Sequence, residues 1–326
     1  MRVQPASAAL RRIGLALLLL LGADFAAAQP YPSRPIRIVV PLPPGANGDL
    51  MPRILAQHLS AKFGQPVVIE NRPGAAQNLG AEIVFRSEPD GYTLFATPQG
   101  PLVISQSFFP KLGFDPTQFV PVTIMAKLPY ILVVHPKVPV SNFAEFIAYA
   151  KANPNKLNDA SPSTGSGPHL TGEMLELAAG IKMTHVPYSG MAPALNDLLA
   201  GHVEMMFDNL GNSLPLVREG KLKGLAVTGD KRAPELPDLP AIAETYPEVQ
   251  ATSWFAVVAP PKTPPAIAAR LSQAFAEILR DPEIERRWRE MTLTPVGGTP
   301  EEIGAFFKVE TARWRKVIVS GGIKPE

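Results

Sequence analysis

The chain has 326 residues, of which 46% are hydrophobic, so it is long enough for two domains with separate cores. Its formal net charge of +2 argues against nucleic acid or an anionic membrane surface as a partner. There is no cysteine, and the five histidines lack the spacing of a zinc motif. Disulfides and thiolate chemistry are therefore excluded, and we expect neither a metal nor a cofactor.

Residues 1–28 have the three parts of a cleavable export signal. Arg2, Arg11 and Arg12 precede the apolar run 13–21, and Ala26–Ala28 supply the small residues that a signal peptidase requires. The apolar run is too short to remain in a bilayer as a spanning helix. The sequence therefore predicts cleavage after Ala28 and export to the periplasm.

From Gln29 onward, short β-branched runs alternate with helix-like segments. The predicted strands are Ile36–Val40, Val67–Glu70, Thr93–Ala96, Val120–Ile124, Ile131–His135, Met183–Val186, Val203–Phe207, Leu222–Val227 and Trp254–Val258. The predicted helices are Leu50–Phe63, Gly80–Arg86, Asn142–Ala152, His169–Ala179, Ala192–Ala200, Pro265–Leu279 and Pro300–Val319, and the arginines of 286–289 suggest one further solvated helix face. This alternation is typical of α/β proteins with parallel sheets, and the length favours two such sheets.

Prolines concentrate at 116–129 and at 234–247, which indicates two places where the chain changes domain. We place the crossings near Ala126–Pro129 and near Thr252–Trp254. Lobe I then comprises residues 29–127 and 253–326, and lobe II comprises residues 128–252. Two crossing strands of this kind form the hinge of a clamshell that closes on a ligand.

Three loops share one design, in which a strand leads into small residues and then into a helix. The first loop is 41–49, with Pro44, Gly45, Ala46, Asn47 and Asp49; the second is 161–168, with Ser163, Thr164, Gly165 and Ser166; the third is 187–190, with Tyr188. A helix N-terminus offers unpaired N–H groups and partial positive charge, so each loop suits an anion. Taken singly, each loop is equally consistent with an ordinary strand–helix connection that has a good cap. None of the loops contains lysine or arginine, which favours a small carboxylate over a phosphate.

Other polar residues lie at predicted strand ends. Asp208 either accepts a hydrogen bond from a ligand or caps the turn before Leu214, and Thr97 and Gln99 either line the opposite wall or form a turn. We expect His169 and His185 to have structural roles.

Seven short segments resemble the Bug family, the substrate-binding proteins of tripartite tricarboxylate transporters. They are Tyr31–Arg37, Glu70–Ala75, Pro89–Leu94, His185–Tyr188, Ala192–Leu195, Met206–Asn209 and Leu225–Thr228. The resemblance implies a type II periplasmic-binding-protein fold, with two α/β lobes joined by a two-strand hinge. It also implies a monomeric receptor that delivers an organic acid or amino acid to membrane transporter subunits. In that family the first two loops hold a carboxylate, a role that falls here on Pro44, Gly45 and Ala46 and on 163–166.

The chain departs from the family pattern at these loops. Ala46 and Asn47 stand where glycines are usual, Asp159 replaces an aromatic residue, and 97–100 replaces a Gly-Thr-type stretch. The departures bear on the ligand rather than on the fold.

Two other functions remain open from the sequence. One is a periplasmic sensor that presents its closed form to a membrane kinase. The other is a secreted hydrolase that uses a serine such as Ser163 or Ser166, although Thr164-Gly165-Ser166-Gly167 lacks the spacing of a nucleophile elbow.

Overall fold

The structure is a computed structural model that describes residues 31–45 and 47–324, with the side chain of Asn47 left out. The predicted export signal and cleavage site therefore lie outside the described residues. The strands are β1 (Ile36–Val40), β2 (Val67–Asn71), β3 (Thr93–Pro98), β4 (Val120–Val134), β5 (Asn158–Ser161), β6 (Thr184–Pro187), β7 (Met205–Asn209), β8 (Lys223–Val227) and β9 (Thr252–Ala259).

The helices lie mainly between successive strands. They are α1 (Asn47–Phe63), α2 (Asn78–Phe85), α3 (Ser105–Phe108), α4 (Phe143–Ala152), α5 (Gly167–Ala179), α6 (Met191–Ala200), α7 (Leu210–Arg218), α8 (Pro265–Leu279), α9 (Pro282–Glu290) and α10 (Pro300–Gly321). A π-helical turn, Gly100–Ile104, precedes α3, and short 3₁₀ turns occupy Ala75–Gln77, Pro116–Gln118 and Ile242–Glu244. Among the residues described, no helix combines the length and apolar character that a membrane span requires.

The first sheet has the strand order β2-β1-β3-β9-β4. β1 pairs in parallel with β2 and β3, whereas β9 is antiparallel to both β3 and β4. Helices cover the sheet, so Ile38, Val39 and Val40 of β1 are fully buried. This explains why β1 is a nearly continuous β-branched run and why its predicted bounds are confirmed.

The second sheet has the order β4-β7-β5-β6, with β8 on the other edge of β4. β5 is parallel to both β6 and β7, and its sequence Asn-Asp-Ala-Ser gives no β signal. The prediction missed this strand because pairing on both sides, rather than local propensity, makes it extended.

β4 belongs to both sheets. It pairs with β9 as far as Pro129, opposite Thr252, and from Tyr130 onward it pairs with β7 and β8. The chain returns from the second sheet to the first at Ala251. The Ala251 N–H still donates to Thr228 O, next to β8, at 3.0 Å, and the next residue begins β9.

The prediction of two separate strands, Val120–Ile124 and Ile131–His135, is therefore wrong. The prolines that suggested a break lie where a strand tolerates them. Pro121 is at a register shift, and Pro129 is where β4 changes partners.

The helices predicted from periodicity are present with shifts of a few residues at their ends, and α8 has the predicted bounds. The prediction missed α7, because Gly211 and Pro215 inside it are poor helix formers. α9 includes the arginine-rich stretch; its arginines pair with glutamates one turn away, and Trp288 on its other face is fully buried.

The C-terminal helix α10 connects the two halves of the molecule. It packs against β4 and also against α5, which follows the second sheet's β5. Trp254 of β9 lies 5.2 Å from the rings of both Phe306 and Phe307, and its Nε1–H donates to buried Glu310 at 3.1 Å. This aromatic contact fixes α10 to the crossing strands.

Candidate functional site

A cavity of about 1090 Å³ lies between the loops at the ends of the strands of the two sheets. All three of the glycine-containing loops singled out in the sequence contribute to its wall. Of the predicted site residues, the structure brings Pro44, Gly45, Gln99, Ser163, Thr164, Gly165, Ser166 and Tyr188 to this wall. Ala46 is outside the described residues, and only the backbone of Asn47 is described, at the start of α1.

In the first loop, Asp49 supports the backbone and does not line the cavity. It is 1% exposed and accepts hydrogen bonds from Gly45 N–H (2.9 Å), Arg53 Nε (2.8 Å) and Asn71 Nδ2 (2.7 Å). Burial alone would raise the pKa of Asp49, but these hydrogen bonds outweigh it and hold the pKa below its usual value. The expectation that Asp49 contacts a ligand is corrected: its partners turn it toward the protein.

The second loop ends at the N-terminus of α5. Gly165 adopts a left-handed conformation (φ 75°), and its N–H donates to Nδ1 of His169 at 2.9 Å. The Ser166 hydroxyl caps the helix by accepting from His169 N–H at 3.5 Å. Because a helix leaves its first N–H groups unpaired, this end of α5 presents hydrogen-bond donors to the cavity wall.

Two stacked histidines support this loop from behind. The rings of His169 and His185 are 3.7 Å apart, and Nε2 of His185 lies 2.7 Å from the hydroxyl of Ser161. That hydroxyl also lies 3.0 Å from Ser163 O, so Ser161 bridges the imidazole and the backbone of the second loop. Burial, together with the neighbouring His169, lowers the pKa of His185 to about 4. His185 is thus a neutral imidazole that holds the loop.

The third loop leads into α6. The N-cap of this helix is Gly190, so no capping side chain occupies its first N–H groups. Tyr188 lines the cavity, but its hydroxyl donates to Asp197 at 2.8 Å. Burial and this carboxylate raise the pKa of Tyr188 to about 12. Because the hydroxyl is engaged by Asp197, Tyr188 contributes mainly its ring.

Asp208 does not reach the cavity, and of the two roles left open by the sequence the structure favours the cap. One carboxylate oxygen accepts from Asn209 N–H (2.7 Å) and Asn212 Nδ2 (3.1 Å), and the other accepts from the Ser213 hydroxyl (2.7 Å). Burial dominates and raises the pKa of Asp208 to about 6, although these bonds oppose the shift. Asp208 therefore positions the start of α7, whose Asn209 and Asn212 do line the cavity.

Thr97 and Gln99 have different positions. Thr97 is fully buried within β3, where its hydroxyl donates to Pro98 O at 3.0 Å, and it is not on the cavity wall. Gln99 is on the wall and donates from Nε2 to the Tyr130 hydroxyl at 3.2 Å. This bond joins the segment after β3 to the part of β4 that belongs to the second sheet.

The sequence missed many wall residues, among them four aromatic ones. Phe108, Phe109, Phe255 and Tyr130 all contribute to the wall. Phe255 and Tyr130 lie inside strands that cross between the sheets, and a lone aromatic residue in such a strand looks like core. The run Phe108-Phe109, after a glycine- and proline-containing turn, was the available signal.

Two glycines of the second loop lie against residues from other segments. A Cβ atom added at Gly165 would lie only 2.8 Å from the ring of Phe108, which follows the first sheet's β3. A Cβ at Gly167 would lie 2.5 Å from Nε2 of Gln99. Both glycines permit a close approach between the two halves at the edge of the cavity.

Within the described part of the cavity wall there is no charged side chain. In the same residues, no group of three or more metal-binding side chains comes together. The wall offers backbone N–H groups at the starts of α1, α5, α6 and α7, with hydroxyl and amide side chains beside them. This chemistry suits a small anion held by dipoles and hydrogen bonds.

Comparison with known proteins gives consistent results. The family model "Tripartite tricarboxylate transporter family receptor" matches residues 51–323. Protein BugT of Bordetella pertussis is 36% identical over 300 residues, covering 91% of this chain and 92% of that protein. A protein from the tcbD-tcbE intergenic region of Pseudomonas sp. strain P51 is 35% identical, covering 89% of this chain and 87% of that protein.

Solved structures agree with the sequence comparisons. R. palustris Rpa4515 with adipate has a TM-score of 0.83 and 37% identity, covering 91% of this chain and 100% of that chain. MatC from Rhodopseudomonas palustris with bound malate has a TM-score of 0.79 and 30% identity, covering 88% of this chain and 100% of that one. These neighbours confirm the expected two-lobed periplasmic-binding-protein fold. The chain belongs to the tripartite tricarboxylate transporter receptor family, which includes the Bug proteins and consists of periplasmic solute-binding receptors.

Proposed function

We propose that this protein is a periplasmic receptor that captures a small organic carboxylate between its lobes and delivers it to a membrane transporter. The observation that carries the proposal is a cavity whose described wall has no charged side chain and includes helix N-termini from both sheets. A carboxylate placed there would be stabilised by N–H dipoles without a salt bridge. The adipate and malate named for two structural neighbours are ligands of this chemical class.

We assign residues 29–127 and 253–326 to lobe I and residues 128–252 to lobe II. In support, β4 changes partners between Pro129 and Tyr130, and the chain returns between Ala251 and Thr252. Rotation about these two adjacent strands would open the cavity. Ligand binding then favours closure in proportion to its greater affinity for the closed form.

We also propose that the receptor is exported by cleavage after Ala28 and that it has no catalytic activity. The Ser161–His185 pair resembles half of a hydrolase site, but the serine hydroxyl is also bonded to Ser163 O. A serine nucleophile must reach its substrate. Ser161 is also fully buried and does not line the cavity.

Thermal unfolding of the mature chain, starting at Gln29, tests the proposal against a panel of carboxylates, amino acids, sugars and phosphates. A ligand at about 100 times its dissociation constant stabilises by about 2.7 kcal/mol, which corresponds to several degrees. We expect carboxylates alone to raise the melting temperature. Ser166→Ala should reduce this effect, whereas Ser87→Ala, at a serine that bonds Ile83 O away from the cavity, should not.

If sugars or phosphates bind and carboxylates do not, the proposed ligand class is wrong. Turnover of an ester panel that Ser166→Ala abolishes would contradict the receptor model itself.

A further inference from the structure

We propose that the carboxylate bound by this receptor carries an aromatic or arylalkyl body, as in phenylacetate or 3-phenylpropionate. The inference rests on the proposed function, because it takes the loops at the cavity as the carboxylate site. It goes beyond that function by naming what the rest of the cavity recognises.

An aromatic ring lies next to each of the first two loops. Beside the second loop, Phe108 approaches Gly165 so closely that an added Cβ would be 2.8 Å from the ring. Beside the first, Phe255 approaches Gly48 of α1, where an added Cβ would be 2.7 Å from the ring. A carboxylate held by either loop therefore has a phenylalanine ring beside it, and rings favour stacked or edge-to-face contact with another ring.

The third loop adds further apolar surface. Tyr188 contributes its ring because its hydroxyl is bonded to Asp197, and Met191 and Leu195 of α6 line the same cavity. Phe109 packs edge-on against Phe108, with ring centroids 4.9 Å apart, and extends the aromatic surface of lobe I. A ligand body enclosed by these residues would be stabilised by burial of its apolar surface.

A second carboxylate finds no charged partner within the described part of this wall. The N–H groups of the loops can hold carboxylates, but a charge on the part of the ligand that lies against the phenylalanine and leucine side chains would lose its hydration. The wall therefore favours a ligand with one charged end and one apolar end.

The cavity is also large for a short acid. Its volume of about 1090 Å³ is at the upper end of the usual range for pockets that enclose drug-sized ligands. A four-carbon acid would leave most of the apolar wall uncovered, whereas an arylalkyl acid reaches from the loops to the aromatic residues.

Calorimetric titration of the mature chain with two matched series tests the proposal. One series is propionate, phenylacetate and 3-phenylpropionate, and the other is succinate, adipate and malate. Each additional buried methylene should tighten binding roughly fourfold. We expect 3-phenylpropionate to bind at least about tenfold more tightly than any of the diacids.

Phe109→Leu identifies the surface responsible. It should weaken binding of 3-phenylpropionate about fivefold and leave propionate unchanged. Phe85→Leu is the matched control, because Phe85 is also partly buried against the core but packs on Phe114 and Phe119, away from the cavity.

The outcomes separate this inference from the proposed function. If diacids bind more tightly than the aryl acids, or if Phe109→Leu affects both series equally, the inference is overturned and the receptor function stands. If no acid of either series binds, both are overturned.

Discussion

Substitution of Gly165 by alanine is expected to weaken ligand binding by obstructing closure of the lobes. Gly165 belongs to the second loop, and the Phe108 ring that it contacts belongs to the segment after β3 in the other lobe. Because this contact joins the two lobes, the added methyl group would clash when the lobes close on a ligand. The free, open protein would have no such clash.

Two energetic effects have to be separated. Gly165 has a φ of 75°, so alanine there is strained by about 1 kcal/mol in both the free and the bound protein. The new Cβ would also be 2.8 Å from the Phe108 ring, and overpacking of this kind costs about 1–3 kcal/mol. The second cost falls on the closed form alone, so the dissociation constant should rise by a factor of about 5 to 150.

Gly180→Ala is the matched control. Gly180 ends α5 with a φ of 65°, and a Cβ there would meet nothing within 4 Å. Both variants should lower the melting temperature of the free protein by a similar few degrees, but only Gly165→Ala should weaken binding of the tightest panel acid. In a Phe108→Ala background, Gly165→Ala should no longer change the dissociation constant.

The opposite pattern would refute the closure argument. That pattern is a melting temperature of the free protein that Gly165→Ala lowers much more than Gly180→Ala does, together with an unchanged dissociation constant. It would mean that residue 165 already touches Phe108 in the ligand-free protein.

Two further predictions concern stability. Because burial and His169 lower the pKa of His185 from 6.5 to about 4, the stability associated with its neutral form is complete above pH 6.5 and is lost as the pH falls to 4. The loss should be about 1–2 kcal/mol, because solvent screens this partly exposed ring. In urea unfolding between those pH values, the free energy of unfolding of His185→Gln should fall less with decreasing pH than that of the wild type. Titration of buried Asp159 and Asp208 affects both proteins and cancels when the two are subtracted. Parallel plots of unfolding free energy against pH would contradict the prediction. Glu310→Ala should destabilise by about 2–3 kcal/mol, since it leaves the Trp254 N–H unpaired and removes the carboxylate that pairs with Arg313. The control is Glu283→Ala, which breaks an exposed ion pair with Arg287 and should lower the free energy of unfolding by under about 1 kcal/mol. If the Glu283 and Glu310 variants lose the same stability, the assigned role of Glu310 is refuted.

Local chemistry was enough to predict much of the architecture. β1 and α8 have the predicted bounds, because a buried β-branched run and an amphipathic segment that begins with proline each carry their own signal. The three loops were also recognisable from their small residues between a strand and a helix, although such residues occur equally in ordinary capped turns. All three contribute to the cavity wall.

The orientation of individual polar side chains was not predictable in the same way. Asp49 and Asp208 have the sequence position of ligand contacts, but both accept three hydrogen bonds from protein groups and point away from the cavity. Thr97 is similar, with its hydroxyl bonded to Pro98 O. A capping carboxylate and a binding carboxylate look alike in sequence, because the difference lies in which partners the surrounding chain supplies.

The sequence by itself determined the α/β class, the need for two sheets and the absence of cysteine chemistry, because periodicity and composition are local properties. Only the tertiary structure decided that β5 is a strand, that β4 is continuous across both sheets, and that Phe108, Tyr130 and Phe255 meet the loops at one cavity. These features depend on contacts between segments that are far apart in the chain. Such contacts form only when the two sheets are assembled around the crossing strands.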